Sequence, residues 1–252
     1  SNADTTVTLT ELLDQRYLPR SLRHKIARIA PSLGSICVFI GTSIDPREHG
    51  FDESNLWVYP TYDIDELYRP ALAGEIGEDL PFFMTVPTLK DPGGSHAPPG
   101  KHTVELILFA PWEPFARWQG TGVMKRGPEY LAFKQEIGDR IIARAERFLP
   151  GLADSIEVLE IGTPLTNISY VYTPQGAIYG PEHTPSQVGL GRFRTVGPID
   201  GLYLCGAGVL GAGIATCVDS GVMAANSALA EPSPLRRLKR QVAALRPRFA
   251  TS

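Results

Sequence analysis

A glycine-rich junction near the end of the sequence has the residue types and spacing that are best suited to chemistry. Residues 202–205 are predicted as a short strand, and a helix of small residues follows from about residue 214 to residue 229. The loop between them contains Gly206, Gly208, Gly211 and Gly213. Glycines let a backbone approach a ligand closely, and a helix amino terminus offers unpaired N–H groups and a positive dipole end to an anion. The junction is therefore suited to an anionic ligand, with the helix opening near Gly213.

Residues 206–211 match the dinucleotide fingerprint G-x-G-x-x-G, but their place in the chain argues against a complete dinucleotide-binding unit. That fingerprint opens a strand–helix–strand unit, with an acidic residue about 20 positions further on. Only 41 residues follow Gly211, and after Leu229 they turn to Pro, Ser and Arg without a predicted strand. We therefore interpret the motif as the last piece of a cofactor site. The alternative is a tight strand-to-helix turn in an ordinary α/β core.

Composition and residue spacing exclude several other classes of protein. A net charge of −3 argues against nucleic-acid binding, and 43% hydrophobic residues provide a core. The three cysteines lie far apart, which favours reduced thiols in a cytosolic setting over disulfides or zinc. The histidines lack metal-ligand spacing, and no Ser-His-Asp or nucleophile-elbow pattern is present. The sequence thus identifies no metal ligand and no catalytic residue.

The elements that must position the junction are mostly predicted strands. Apolar runs predict strands at 35–40, 56–59, 82–86, 103–110 and 156–161. One long helix begins at Pro128 and stops before Pro150, and two short helices open the chain, with Thr8 as the first cap and Pro19 at the start of the second. Since strands and helices do not alternate, we expect an α+β fold, with a mixed, largely antiparallel sheet and helices on one face.

Aromatic residues cluster near the ends of these predicted strands. We expect the helix-free face of a single sheet, residues 35–161, to form the wall of a tunnel for a long apolar ligand. The alternative is an ordinary core. The aromatic residues are Trp57, Tyr59, Tyr62, Phe82, Phe83, Phe109, Trp112 and Phe115.

An ordered set of segments resembles the phytoene-desaturase, carotenoid-isomerase and retinol-saturase group of FAD-dependent oxidoreductases. The resemblance extends over roughly residues 7–230 and is carried by the set as a whole. In that family, the segment that matches residues 201–225 returns to the FAD domain after a substrate domain and lies along the flavin. The matching segments are 31–41, 55–63, 87–92, 99–115, 162–185 and 201–225.

The resemblance implies a domain layout and a set of site residues. Residues 4–197 would form a substrate-binding domain and 198–230 a carboxyl-terminal FAD-contact segment, while residues 1–3 look like the remnant of a tag. Tyr179 would stack on a polyene and His183 would face the substrate, unless the glycines of this loop only make turns. The residues implied to contact FAD are Gly206, Ala207, Gly208, Gly211, Gly213, Ile214, Ala215 and Thr216.

The family's amino-terminal ADP-binding fingerprint does not occur in this chain. We therefore expect a carboxyl-terminal fragment that is inactive by itself and is purified without FAD. Its partners would be the missing amino-terminal FAD-binding half and an apolar substrate, and a homodimer through residues 206–225 is a further expectation. The intact cytoplasmic enzyme would desaturate, saturate or isomerise a long carotenoid- or retinoid-like substrate. The alternatives are a non-catalytic module that binds an isoprenoid, and a relative of the flavin amine oxidases.

The tail, residues 231–252, has its own pattern. Apolar residues recur at helical spacing between residues 235 and 249, and six Lys and Arg residues lie among them without an acid. A basic amphipathic helix of this kind can lie on an anionic membrane surface. The alternative is a solvated surface helix that packs on its own domain or is simply frayed.

Overall fold

Alternating apolar side chains build one five-stranded sheet in the computed structural model, which describes residues 1–79 and 81–230. The strands are β1 (Gly34–Thr42), β2 (Leu56–Val58), β3 (Phe82–Thr85), β4 (His102–Ala110) and β5 (Ile156–Gly162). Their order is β2-β3-β4-β1-β5, and each neighbouring pair is antiparallel. The predicted α+β class, with a largely antiparallel sheet, is confirmed.

Seven α-helices accompany the sheet in the described residues, together with short helical turns. The α-helices are α1 (Thr5–Val7), α2 (Arg20–Ile26), α3 (Ile64–Leu72), α4 (Pro87–Lys90), α5 (Gly127–Ala145), α6 (Pro164–Val171) and α7 (Ile214–Leu229). A π-helical turn covers Thr8–Leu12, and 3-10 turns cover Gln15–Tyr17, Pro46–His49, Glu113–Trp118, Ala153–Ser155, Pro174–Gly176 and Gly189–Gly191. The long helix and the helix after the glycine loop both agree with the sequence prediction.

The main core lies between α5 and one face of the sheet. Val38, Leu106 and Met84 are neighbours across three strands of this face, and all are almost fully buried. Ile137 and Ile141 of α5 belong to the same core cluster. Full burial of one such side chain contributes roughly 1.5–3 kcal/mol, so this layer holds the domain together.

The opposite face of the sheet, which we call the open face, is much less covered. It contains Cys37, Phe39, Phe83, Ile107 and Phe109, which alternate with the core residues along their strands. A second and smaller core lies elsewhere, where the amino-terminal helices meet the glycine loop. Its buried residues are Leu9, Leu13, Leu18, Phe193, Leu204 and Val209.

Two local predictions were wrong. The first helix is capped by Asp4, whose carboxylate accepts from the N–H groups of Thr6 and Val7, so Thr8 follows the helix and does not cap its start. Residues 202–205 form no strand; Tyr203 makes one isolated bridge to Val196. The apolar pattern of these residues is typical of a strand. A strand also needs a neighbouring extended segment with which to form several hydrogen bonds, and the turns around residues 197–201 allow only the single bridge to Val196.

The predicted basic helix of the tail lies outside the described residues. Among those that are described, no helix combines the length and hydropathy needed to cross a membrane. No group of three or more His, Cys, Asp or Glu side chains in the described ranges is placed to hold a metal ion.

Candidate functional site

The glycine loop is fastened to α7 by one buried serine. Ser220 is completely buried, and its hydroxyl accepts from the Gly206 N–H at 2.7 Å while donating to the Cys217 carbonyl at 2.7 Å. Gly206 has a φ of 92°, a backbone conformation that residues with a Cβ rarely adopt. The serine and the glycine together fix the angle at which the loop leaves the helix.

The amino terminus of α7 is open. Gly213 precedes the helix with a φ of 104°, and no side chain of the described residues caps it. The first intrahelical bond is donated by Cys217 to Gly213, so the three N–H groups before Cys217 have no intrahelical acceptor. Ile214 is 87% exposed beside them. This helix end can therefore attract an anion.

The two halves of the glycine loop have different surroundings. A Cβ on Gly206 would collide with Asn2 and one on Gly208 with Thr5, so this half packs tightly against the amino-terminal segment of the same chain. A Cβ on Gly211 or Gly213 would meet only the side chain of Thr216, at 3.9 Å and 3.7 Å. The first half therefore fits the alternative prediction of a tight turn in a packed core, and of the four glycines only Gly213, at the start of α7, is exposed.

The structure brings together two segments that the sequence analysis singled out separately. A Cβ on Gly180 would lie 3.5 Å from the backbone nitrogen of Gly208. Ser32 holds this contact in place, because its N–H donates to the Gly180 carbonyl at 2.8 Å and its hydroxyl accepts from the Tyr179 N–H at 3.0 Å. Tyr179 therefore lies directly beside the glycine loop.

Tyr179 also lines an apolar cavity of about 230 Å³ on the open face of the sheet. Its ring meets Phe109 at 6.2 Å, and Trp57 meets Phe83 at 4.9 Å on the far side. Small-molecule pockets usually have about 300–1,000 Å³, so this cavity has room for only part of a long ligand. The lining residues are Trp57, Tyr59, Tyr68, Pro81, Phe82, Phe83, Ile107, Leu108, Phe109, Ile178 and Tyr179.

The predicted aromatic wall is therefore correct in part. Trp57, Tyr59, Phe83 and Phe109 line the cavity, and Phe82 contributes to it while being buried in the main core. The remaining three residues were placed wrongly. Phe115 belongs to the main core and Trp112 packs against it, while Tyr62 is fully exposed and does not line the cavity. Phe115 is drawn inward because it stacks edge-on against Phe133 of α5, at 5.5 Å.

Arg192 is a site residue that the sequence analysis missed. It is only 2% exposed, and its Nη1 donates to the Ala207 carbonyl of the glycine loop at 3.3 Å. Its Nε and Nη2 have no hydrogen-bond partner. Burial lowers the pKa of Arg192, and partial desolvation together with the nearby charge of Arg192 lowers the pKa of His183. An arginine in a loop of unremarkable sequence carries no signal that would have revealed this burial.

Proteins of known identity resemble this chain over most of its length. All-trans-retinol 13,14-reductase of Danio rerio is 30% identical over 214 residues, which cover 80% of this chain and 34% of that protein. The Homo sapiens protein of the same name is 28% identical over 91% of this chain and 39% of its own length. The chloroplastic prolycopene isomerase of Arabidopsis thaliana is 31% identical over 92% and 36%.

The chain is related to retinol 13,14-reductases and prolycopene isomerases. The resemblance to the phytoene-desaturase-like family is thereby confirmed, although no family model matches the chain. The chain spans between a third and two fifths of the length of the curated relatives given above. A crystal structure of an oxidoreductase from Methanosarcina mazei supports the fold, with a TM-score of 0.52 and 17% identity over 90% of this chain and 42% of that one.

Proposed function

We propose that the chain is the carboxyl-terminal portion of an FAD-dependent oxidoreductase that desaturates, saturates or isomerises a long conjugated isoprenoid. The observation that carries the proposal is the contact between Tyr179–Gly180 and Gly208, because it joins an aromatic cavity to a glycine loop and an open helix end. The names of the relatives support the substrate class, since retinol and prolycopene are both conjugated isoprenoids.

The residues present fit part of an FAD molecule. The open end of α7 at Gly213, Ile214 and Ala215 suits the negatively charged edge of a reduced flavin. The unpartnered nitrogens of Arg192 suit a phosphate. Gly208 fits less well, because Thr5 occupies the space beside it, while the space beside Gly206 is taken by Asn2, which belongs to the expected tag remnant. FAD would supply the acceptance and return of hydride equivalents when it is bound.

The chain's own residues would bind and orient the substrate. The cavity walls exclude water from part of an apolar chain, and Tyr179 places that chain beside the glycine loop. Among residues 1–79 and 81–230, no charged side chain lines the cavity, so a polyene enters without desolvating an ionised group there. These contacts bind and orient the substrate, and they do not by themselves distinguish desaturation from saturation or isomerisation.

The cavity can be tested with a fluorescent polyene. All-trans-retinol should bind the chain and quench Trp57, which lies in the cavity wall. Phe109→Asp should weaken this binding at least tenfold, because it places a charge in the apolar wall. Tyr62→Asp is the matched control, since Tyr62 is exposed and lies outside the cavity lining. Equal affinities for the two variants would contradict the proposed substrate site.

The cofactor assignment has its own test. We expect the purified chain to be colourless and inactive as an oxidoreductase, because the described residues contact only part of FAD and each 1.4 kcal/mol of lost binding energy weakens affinity tenfold. A purified sample with stoichiometric FAD and a flavin absorption band would contradict this expectation. Retinol binding by a full-length relative that never takes up flavin would favour a non-catalytic isoprenoid-binding module.

A further inference from the structure

Arg192 carries a positive charge that the described residues leave almost without partners. Arg192 is 2% exposed, and of its three guanidinium nitrogens only Nη1 donates a hydrogen bond, to the Ala207 carbonyl. Within residues 1–79 and 81–230, no carboxylate lies at ion-pair distance from it. Buried charges in folded proteins are normally paired, because removing an ion from water without compensation is very unfavourable.

The other charges close to Arg192 increase this imbalance. The Lys25 ammonium donates to the Arg192 carbonyl at 2.6 Å, and the charge of Arg194 lowers the pKa of Lys25 after the larger effect of burial. Partial desolvation and, after it, the charge of Arg192 lower the pKa of His183. These three neighbours are cationic or neutral, so they favour an anion and repel a further cation.

The bond to Ala207 places the guanidinium against the glycine loop. Phe193, the next residue, donates its N–H to the Gly208 carbonyl at 3.4 Å, which ties the arginine segment to the loop at a second point. A guanidinium with two free N–H-bearing nitrogens matches two oxygens of a phosphate. The same loop leads to the uncapped amino terminus of α7, which attracts negative charge as well.

We propose that Arg192 binds a phosphate group of the ligand held by the glycine loop, an inference that rests on the proposed function. Two ligands share this diphosphate chemistry: the pyrophosphate of FAD and the headgroup of an isoprenoid diphosphate. Arg192 is a binding residue in this assignment and takes no part in hydride transfer.

Thermal denaturation of the complete 252-residue chain with inorganic pyrophosphate tests the inference. Pyrophosphate at about five times its Kd should raise the Tm by roughly 2–4 °C relative to NaCl of equal ionic strength. Arg192→Met should abolish this shift, and its Tm without ligand should be equal to or higher than that of the wild type, because an unpaired buried charge is removed. Arg194→Met is the matched control and should retain the shift, since Arg194 is exposed.

Two results would overturn the inference. The first is a wild-type Tm that pyrophosphate does not raise beyond the salt control. The second is an Arg192→Met variant that keeps the full shift. If Arg192→Met does not fold, Arg192→Lys replaces it, because lysine keeps the charge and loses the two-nitrogen fork. This variant should bind pyrophosphate several-fold more weakly, and unchanged affinity would equally refute the role of Arg192.

Competition experiments separate this inference from the flavin assignment. FAD, ADP, riboflavin and geranyl diphosphate are each compared with pyrophosphate in the wild type and in Arg192→Met. If FAD binds equally well to both proteins, the Arg192 inference fails and the flavin assignment stands. If pyrophosphate and geranyl diphosphate depend on Arg192 while FAD and ADP do not bind, the phosphate site stands and the flavin assignment fails.

Discussion

Two long helices of this molecule, α5 and α7, use their apolar residues in opposite ways. Six of the 19 residues of α5 are buried, and they pack on the sheet in the main core. Only one of the 16 residues of α7 is buried, and it is the polar Ser220. The large apolar side chains of α7 that remain exposed are Ile214, Val218, Val222, Met223 and Leu229. Apolar content therefore predicts a helix in both places, but the neighbours decide whether its side chains contribute to stability.

The same contrast separates the sheet region from the loop region as a whole. The sheet and α5 share a continuous core of more than twenty buried residues, which can hold its shape without a ligand. The loop region has six buried core residues, an unpaired arginine and an uncapped helix end. Its polar groups and apolar surface are suited to a cofactor and to a covering protein surface, in agreement with the proposed function. Equivalent substitutions should therefore change stability more in the sheet region than on the exposed face of α7.

The largest expected difference is between two leucines. Leu106→Ala should destabilise the protein by about 2–5 kcal/mol, because Leu106 is completely buried in the sheet core and its loss leaves a cavity. Leu229→Ala should change stability by less than about 0.5 kcal/mol, because Leu229 is 84% exposed on α7. Urea denaturation of both variants measures the difference. A comparable loss at Leu229 would show that α7 is covered in solution.

The next effect concerns the tie between the glycine loop and α7. Ser220→Ala should cost about 1–3 kcal/mol, because it leaves the buried Gly206 N–H without an acceptor. Ser227→Ala, two turns later on the same helix, is the control and should have little effect. Amide hydrogen exchange should show faster opening of residues 206–217 in the first variant only. Unchanged exchange there would mean that the loop is held by other contacts.

The sequence predicted the sheet region well because its signal is local and repeated. Alternation along β1 and β4 places every second side chain in the core, and this pattern is visible without any knowledge of neighbouring strands. The order of the strands was not predicted, because it depends on contacts between residues far apart in the chain. Trp112 and Phe115 show the same limit, since an aromatic residue after a strand can turn to either side of the sheet.

The loop region was predicted in outline and missed in detail. The glycine spacing correctly placed the start of α7 at Gly213, since only a residue without a Cβ readily adopts that conformation. The prediction of a strand at residues 202–205 was wrong because a strand needs hydrogen-bonding partners from another segment, and the sequence of 202–205 does not show whether such a segment lies beside it. Arg192 could not be found at all, because the burial of a loop arginine depends on how residues 25, 183 and 207 assemble around it.

Two glycines of the loop region should respond to alanine with opposite signs. Gly213→Ala should destabilise the start of α7 by about 1 kcal/mol, because its φ of 104° is strained for any residue with a Cβ. Gly221→Ala should stabilise α7 by roughly 0.5–1 kcal/mol, since its Cβ would meet nothing within 4 Å and alanine favours a helix. Circular dichroism during urea denaturation measures both effects. A destabilising Gly221→Ala would reveal a surface packed on this side of α7.

The smallest expected effect is a shift in the titration of His183. Partial desolvation and the charge of Arg192 lower the pKa of His183 from its ordinary value of 6.5, and desolvation is the larger cause. Arg192→Met should therefore move this pKa part of the way back towards 6.5, while Arg194→Met should leave it unchanged. The chemical shift of the His183 ring protons against pH measures the change. Equal shifts in the two variants would mean that the effect of Arg192 is not local.

The direction of this shift also determines the pH dependence of stability. Because folding lowers the pKa of His183, the stabilising contribution of its neutral ring is fully present above pH 6.5 and is lost as the pH falls through the folded pKa. His183→Gln should remove this loss, and the effect is small because His183 is exposed to solvent. The charge of Arg192 lowers the pKa of His183, and bound pyrophosphate should raise it, because an anion beside the guanidinium offsets that positive charge. A pyrophosphate-dependent rise that disappears in Arg192→Met would connect the titration directly to the proposed phosphate site, whereas a rise that persists would place the anion elsewhere.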